Sequence, residues 1–229
     1  MAKNLTQKEL EQPDEFHTIG WYILEYISEH RKQFYAGGAA VLLIIILLGA
    51  WYFHHLNYES NAESVYAKAY NSYALPGTSG DMKDAYLKAS QIYENLVEEY
   101  PDSNAAVLSY YNMGNIYFTI DETDKSIESY KTFLKKTKKD DILIALAYYG
   151  LGYCYEKKED YENALKSFEN SNKLMQGTQF ESINYANMGR IYEKMGKQKE
   201  ALELYQKTVE EINDPLMEML IKSRIVALS

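Results

Sequence analysis

One pattern occurs three times between residues 110 and 205, and it constrains the fold more than any other feature: Tyr-x-x-[Met/Leu]-Gly-x-x-Tyr, then a small residue, then an aromatic four positions on. The first copy is Tyr110, Met113, Gly114, Tyr117, Ser126 and Tyr130. The second is Tyr148, Leu151, Gly152, Tyr155, Ala164 and Phe168, and the third is Tyr185, Met188, Gly189, Tyr192, Ala201 and Tyr205. The three glycines lie 38 and 37 residues apart. Within each copy the Gly-Tyr spacing and the small-aromatic spacing place residues on one helical face, so each unit reads as a pair of helices. A small residue lets two backbones cross closely and a ring one turn away fills the space beside the crossing. Such a unit cannot bury its apolar face alone, so regular repetition predicts an all-α solenoid of stacked helix pairs.

The repeats span about 107–140, 145–178 and 182–215. Upstream, Val65, Tyr66, Ala69 and Tyr73 recur at helical spacing, the run Leu75-Pro76-Gly77-Thr78-Ser79-Gly80 interrupts, and Ala85, Ala89, Tyr93 and Leu96 resume until Pro101. Residues 58–101 therefore read as a degenerate first unit with a long internal turn, and Asp102, Ser103 or Asn104 can cap the helix that follows. Gly196 suits the positive-φ position that ends a helix, while 121–124 and 157–160 make turns without glycine. After Pro215 a last helix to Leu228 carries Leu216, Met219, Leu220, Ile225 and Val226 as a capping face. Met217, Ile221 and Leu228 leave it apolar on more than one side, which makes self-association or a partner contact through residues 216–229 a second expectation.

Residues 34–53, FYAGGAAVLLIIILLGAWYF, are 20 uncharged residues. As a helix they reach about 30 Å, the thickness of bilayer hydrocarbon. Arg31 and Lys32 precede the run and the first charges after it are Glu59 and Glu63, so the positive-inside rule puts the N-terminus in the cytoplasm. The preceding polar stretch is too long for the basic leader of a cleaved signal peptide, which favours an uncleaved anchor. The expected layout is a cytoplasmic tail, 1–33, containing an amphipathic helix with Phe16, Ile19, Ile23, Tyr26 and Ile27 on one face; a transmembrane helix, 34–54; and a solenoid, 55–229, outside the membrane.

Composition narrows the function. The chain carries a net charge of -9, and residues 55–229 hold 20 basic and 27 acidic side chains, so nucleic acid is not an expected partner. The one cysteine, Cys154, rules out an intramolecular disulfide and a Cys-based zinc site; without a basic neighbour closer than Lys157 it reads as a packed thiol. His54 and His55 are adjacent and point about 100° apart on a helix, unlike a ligand pair one turn apart. The run Lys135, Lys136, Lys138, Lys139 closes a helix, where cations offset the dipole. With no convergent polar constellation, neither catalysis nor a metal or cofactor is expected.

Numbered from Val107, Ala145 and Ser182, the three units place their motif residues on positions 4, 7, 8, 11, 20 and 24 of the tetratricopeptide-repeat consensus, and the chain resembles that family. Ser126 replaces the usual Ala, and Tyr replaces Trp at the fourth position in each copy. The resemblance implies a protein-binding groove lined by positions 2, 5, 9 and 12 of each first helix. Here these are Leu108, Tyr111, Asn115 and Phe118; Leu146, Tyr149, Tyr153 and Glu156; Ile183, Ala186, Arg190 and Glu193, an aromatic and apolar surface suited to loose peptide recognition. Members that bind a partner's terminal carboxylate use a Lys-Asn clamp, of which only Asn115 is in place; Tyr111 and Ile183 stand where lysines are needed.

The order of segments also resembles the YfgM-type ancillary subunits of the bacterial Sec translocon: an acidic tail, Glu29-His30-Arg31-Lys32 before one span, a tyrosine-rich helix after it, then repeats. That resemblance implies a single-pass inner-membrane protein with periplasmic repeats that associates with SecYEG and the chaperone PpiD and helps exported chains onward. The alternative expectation is a structural adaptor in envelope assembly or division that binds one fixed partner.

Overall fold

The computed structural model describes residues 15–74, 82–138 and 141–229, with side chains from residue 20 onward. The expectations for residues 1–13, for the turn at 75–80, for Lys139 and for the side chains of Phe16 and Ile19 lie outside the described residues. The chain divides into two units, Met1–Asn57 and Tyr58–Ser229. Every regular element among the described residues is a helix.

The first unit holds α1, Glu15–Glu29, and the opening part of α2, Arg31–Ala74. Between them His30 donates its backbone N–H to the Tyr26 carbonyl at 3.0 Å, and its ring stacks on Tyr26 with centroids 4.3 Å apart. In α2 the apolar side chains point outward on every side: Val41 to Leu48 are 55–68% exposed. A helix that is hydrophobic all round needs an apolar medium about it. Among the described residues α2 alone is long and apolar enough to cross a membrane.

The second unit begins with the remainder of α2 and continues through α3 (Met82–Glu99), α4 (Asn104–Thr119), α5 (Thr123–Lys136), α6 (Asp141–Lys157), α7 (Tyr161–Leu174), α8 (Gln179–Lys194), α9 (Gln198–Glu211) and α10 (Pro215–Leu228). From α3 on, each helix packs on the next, and α4 also meets α6, the relation of first helices in successive repeats. In the upstream pair, Ala69 of α2 packs with Ala89 and Tyr93 of α3 and with Met113 and Ile116 of α4.

The repeat motif explains each pair. A Cβ added at Gly114 meets the Tyr130 ring at 2.6 Å, one at Gly152 meets Phe168 at 2.6 Å, and one at Gly189 meets Tyr205 at 2.8 Å, so in every repeat the glycine is the seat of the aromatic from the partner helix. Ser126, the departure from Ala, is buried and donates to the Gly114 carbonyl at 2.7 Å, which satisfies its hydroxyl within the crossing. Cys154 lies 3.2 Å from the same hydroxyl, fully buried, and burial pushes its thiol pKa up, so it packs as a neutral thiol.

The turns inside the repeats share one device. Asp121 (φ 76°), Glu159 (φ 59°) and Gly196 (φ 73°) adopt the left-handed conformation. The residue after each donates its N–H to the carbonyl of the motif's second tyrosine: Glu122 to Tyr117 at 2.8 Å, Asp160 to Tyr155 at 2.9 Å and Lys197 to Tyr192 at 2.9 Å. These are the long bonds that close a Schellman-type helix end, made here twice without glycine. Ser103 caps α4 by accepting from Ala106 N at 3.0 Å, and Asp214 caps α10 by accepting from Leu216 N at 2.9 Å, with Pro215 in the first turn.

On α10 the packing differs from the expected capping face. Ile221 is buried, and Met217, Ile225 and Leu228 pack beside it against Ala186, Ala201 and Tyr205. Leu216, Met219, Leu220 and Val226 are exposed. Of the residues expected to cap, only Ile225 does so: the side of α10 that meets Ala186, Ala201 and Tyr205 carries Met217, Ile221 and Leu228, and the apolar pattern, present on two sides of the helix, does not choose between them.

Candidate protein-binding groove

The first helices α4, α6 and α8, followed by α10, present one face of the solenoid. On α6, Tyr149 and Tyr153 are one turn apart with ring centroids at 4.9 Å, and both set an edge against Phe168 of α7, at 5.9 and 5.3 Å. Their rings fasten the helix pair while their hydroxyls reach the surface, 2.9 Å from each other. Tyr153 donates to Asn187 Oδ1 of α8 at 3.1 Å, and Arg190 Nη2 donates to the same oxygen at 2.8 Å. The Arg190 guanidinium also lies over the Tyr153 ring, 5.5 Å from its centroid. Burial pushes the Tyr153 phenol up, and the neighbouring Tyr149 hydroxyl adds to this, so Tyr153 remains a donor at neutral pH.

Glu156 corrects the expected groove. Its side chain is only 6% exposed, paired with Arg190 and, at 2.8 Å, with Lys194. It lies beneath the surface as the counter-charge that holds Arg190 in place, since a carboxylate at that depth needs such partners. Ala186 is also buried. Glu193 accepts from Tyr205 Oη at 2.9 Å and faces Arg224 at 3.4 Å.

Two cavities open on this face. One of ≈ 690 Å³ is lined by Tyr149, Tyr153, Ser182, Ile183, Asn187 and Met217, together with the turn before α10. The other, ≈ 500 Å³, is lined by Asn187, Arg190, Tyr205, Met217, Leu220 and Arg224 among others. Tyr149, Tyr153 and Arg190, expected from the sequence, line these cavities. Leu108, Tyr111, Asn115, Phe118 and Leu146 sit on α4 and α6 outside both. Tyr111 packs on Tyr130 and Phe133 at 6.1 and 5.5 Å, Asn115 accepts from the Tyr130 hydroxyl at 2.6 Å, and Phe118 lies under Lys157 at 5.2 Å. Leu108 and Leu146 are half-buried.

Asn187, which the sequence reading passed over, is shared by both cavities. It stands two residues before the repeat glycine. The equivalent Asn112 donates to the Tyr66 hydroxyl of α2 at 2.7 Å, so in two repeats this position ties a first helix to the tyrosine of the one before. That recurrence was the available signal. The contributions of Met217 and Arg224 had none, since they depend on how α10 is set down.

Residues 107–135 and residues 143–210 each match a family model of the tetratricopeptide repeat. These units are tetratricopeptide repeats. Among solved structures the chain is similar to a MamA protein, with 23% identity and a TM-score of 0.51 over 67% of this chain and 72% of that one. It is also similar to the TPR-like repeats of a protein described as a kinesin light chain of Podosopora anserina, with 13% identity and a TM-score of 0.57 over 74% and 86% of the two chains. Both likenesses concern the fold. No curated protein matches the chain significantly. Tetratricopeptide repeats are protein-interaction modules.

Proposed function

We propose that the chain is a non-enzymatic, membrane-anchored scaffold that binds exported or partner chains in the groove of its repeats, as an ancillary factor of the SecYEG translocon acting beside PpiD. In this reading residues 34–54 span the bacterial inner membrane, the N-terminus is cytoplasmic and the repeats are periplasmic. The observation that carries the binding role is the pair of tyrosines at 149 and 153, half-buried with their rings locked on Phe168 and their hydroxyls at the mouth of a cavity. Tyrosine held in this way offers contact area at low entropic cost and a polar tip, which suits recognition of many related chains. The anchor is supported by a helix whose apolar side chains are exposed on all sides, flanked by Arg31 and Lys32 at its start.

A second reading is favoured by one observation. α10 exposes Leu216, Met219, Leu220 and Val226, with Leu220 at the rim of the smaller cavity, and this apolar strip suits a dedicated adaptor with a single partner, or a second copy of the chain. One experiment separates the two. A photo-crosslinking residue is placed at Tyr149, and separately at Leu220, in the membrane-embedded protein in cells, and the captured proteins are identified by mass spectrometry. Capture of Sec-channel subunits, PpiD or many exported chains from Tyr149 supports the translocon scaffold. Capture of one envelope-assembly protein from Leu220, with nothing from Tyr149, overturns it in favour of the adaptor.

A further inference from the structure

We propose that α1 lies flat on the membrane that α2 crosses, embedded in a layer of zwitterionic phospholipid headgroups at the end where the span begins. The inference rests on the anchor reading above and goes beyond it to name the lipid that the anchor meets.

The first observation is the distribution of side chains around α1. At about 100° per residue, Ile23, Leu24 and Ile27 share one side of the helix, and Glu25 and Glu29 lie about 160° round from the two isoleucines. The borders between these sides are aromatic, with Tyr22 and Tyr26 along one edge and Trp21 on the other. Trp21, Tyr22, Ile23, Leu24 and Tyr26 are each more than half exposed. Tryptophan and tyrosine settle at headgroup depth, ring body toward hydrocarbon and polar tip toward water. A helix with one apolar side, one charged side and such rings along both borders is built to lie in the interface, sunk about 5–10 Å into it.

The second is continuity with α2. Only His30 separates the two helices. Its carbonyl accepts from Gln33 N at 2.9 Å and from Phe34 N at 3.1 Å while its own N–H bonds back to Tyr26, so the chain passes from α1 into α2 with no slack residue. The Tyr26 ring meets Phe34, the first apolar residue of the span, edge-on at 6.2 Å. The aromatic border of α1 is thereby held beside the point where the apolar run of residues 34–53 starts. That run needs lipid about it, and the same lipid covers the exposed face of α1.

The third is charge. A groove of ≈ 600 Å³ at this bend has Tyr22, Tyr26 and Phe34 among its walls together with Glu25 and Glu29, and its lining includes no basic side chain. Surface helices that favour anionic lipid carry lysine and arginine on their polar side. Here that side is acidic and repels such lipid. A zwitterionic headgroup carries its amine outside its phosphate. The amine suits the two carboxylates and the tyrosine rings, and the phosphate suits Arg31 and Lys32, which open α2.

The test uses the full chain in phospholipid vesicles and its own fluorescence, since Trp21 and Trp51 are its two tryptophans. Trp51→Phe leaves Trp21 to report on α1, and Trp21→Phe leaves Trp51 to report on the span. In phosphatidylcholine brominated high on the acyl chains, each tryptophan is expected to lose about half of its emission, and aqueous iodide to quench neither. Ile23→Glu combined with Ile27→Glu is expected to release Trp21 to iodide while Trp51 stays quenched by bromine. Exchanging half of the lipid for phosphatidylethanolamine is expected to preserve the quenching of Trp21, and exchanging it for phosphatidylglycerol to reduce it about twofold, a difference that Glu25→Gln with Glu29→Gln removes. Quenching of Trp51 by bromine with Trp21 open to iodide overturns the proposal and leaves the anchor standing. Quenching of neither overturns the anchor and the proposal together. Quenching of Trp21 that is undiminished in phosphatidylglycerol overturns the assignment to zwitterionic headgroups.

Discussion

The second and third repeats are built on the same crossing and present different chemistry. In the second, Gly152 seats Phe168, a fully buried ring with no polar end, and α6 turns two tyrosines outward. In the third, Gly189 seats Tyr205, whose hydroxyl continues to Glu193 at 2.9 Å, and α8 sets Arg190 beside the buried Asn187 at the cavity. Positions that face the partner helix are copied because close packing leaves them little choice. Those that face the groove are free to differ.

Four changes break or sharpen this contrast. Phe168→Ala empties the second crossing and removes the ring on which Tyr149 and Tyr153 rest. A loss of about 3–5 kcal/mol is expected, and a melting point lower by about 6–20 °C by calorimetry or circular dichroism, with weaker peptide binding. Gly152→Ala forces a methyl to within 2.6 Å of the Phe168 ring, which is enclosed on every side. About 1–3 kcal/mol is expected from denaturant unfolding, more than for Gly189→Ala, where the nearest ring atom is at 2.8 Å. A smaller loss at Gly152 than at Gly189 shows that the two crossings are not packed as described.

Tyr205→Phe makes the third crossing like the second. It removes one hydrogen bond to a partly exposed carboxylate, with an expected loss of about 0.5–1.5 kcal/mol at neutral pH. In alkali the same change has the opposite sign. Burial raises the phenol pKa values of Tyr93, Tyr117, Tyr130, Tyr153 and Tyr205 above the ordinary 10.0. The unfolded chain gives up these protons first as pH rises, so stability is intact below 10 and is lost as pH climbs through the folded values. Unfolding followed by helix signal and tyrosinate absorbance is therefore expected beyond pH about 10, at slightly higher pH in Tyr205→Phe. An unchanged alkaline midpoint in that variant removes Tyr205 from the groups that drive it.

The helix pairs, the glycine seats, the positive-φ turn at Gly196 and the cap at Ser103 were legible in the sequence, because each is set by residues a few positions apart or by a motif that recurs. The burial of Glu156 was not. Its position marks a groove residue, and only the arrival of Arg190 and Lys194 from the next repeat makes a hidden carboxylate tolerable there. Asn187 was legible only through comparison with Asn112, since a lone asparagine in a helix carries no mark of the tyrosine it will meet. On α10 the apolar residues were visible on two sides, and nothing within the helix says which side α9 will take.

Tyr130 does not belong to one repeat. Its ring fills the seat at Gly114, and the other end of the same ring lies against Gly150 of the following repeat, where a Cβ would stand 2.5 Å from Cζ. In a linear array each unit's own stability and its coupling to a neighbour are separate quantities. One side chain here supplies both. The first two repeats are thereby joined by a single ring, whereas the third meets the second through a shared apolar cluster of Ala164, Leu165 and Phe168 with Met188 and Ile191, and through the buried Glu156 paired with Arg190 and Lys194. Tyr130→Ala is therefore expected to lower the stability of the first repeat and its coupling to the second together, where a ring confined to one crossing would lower only the first.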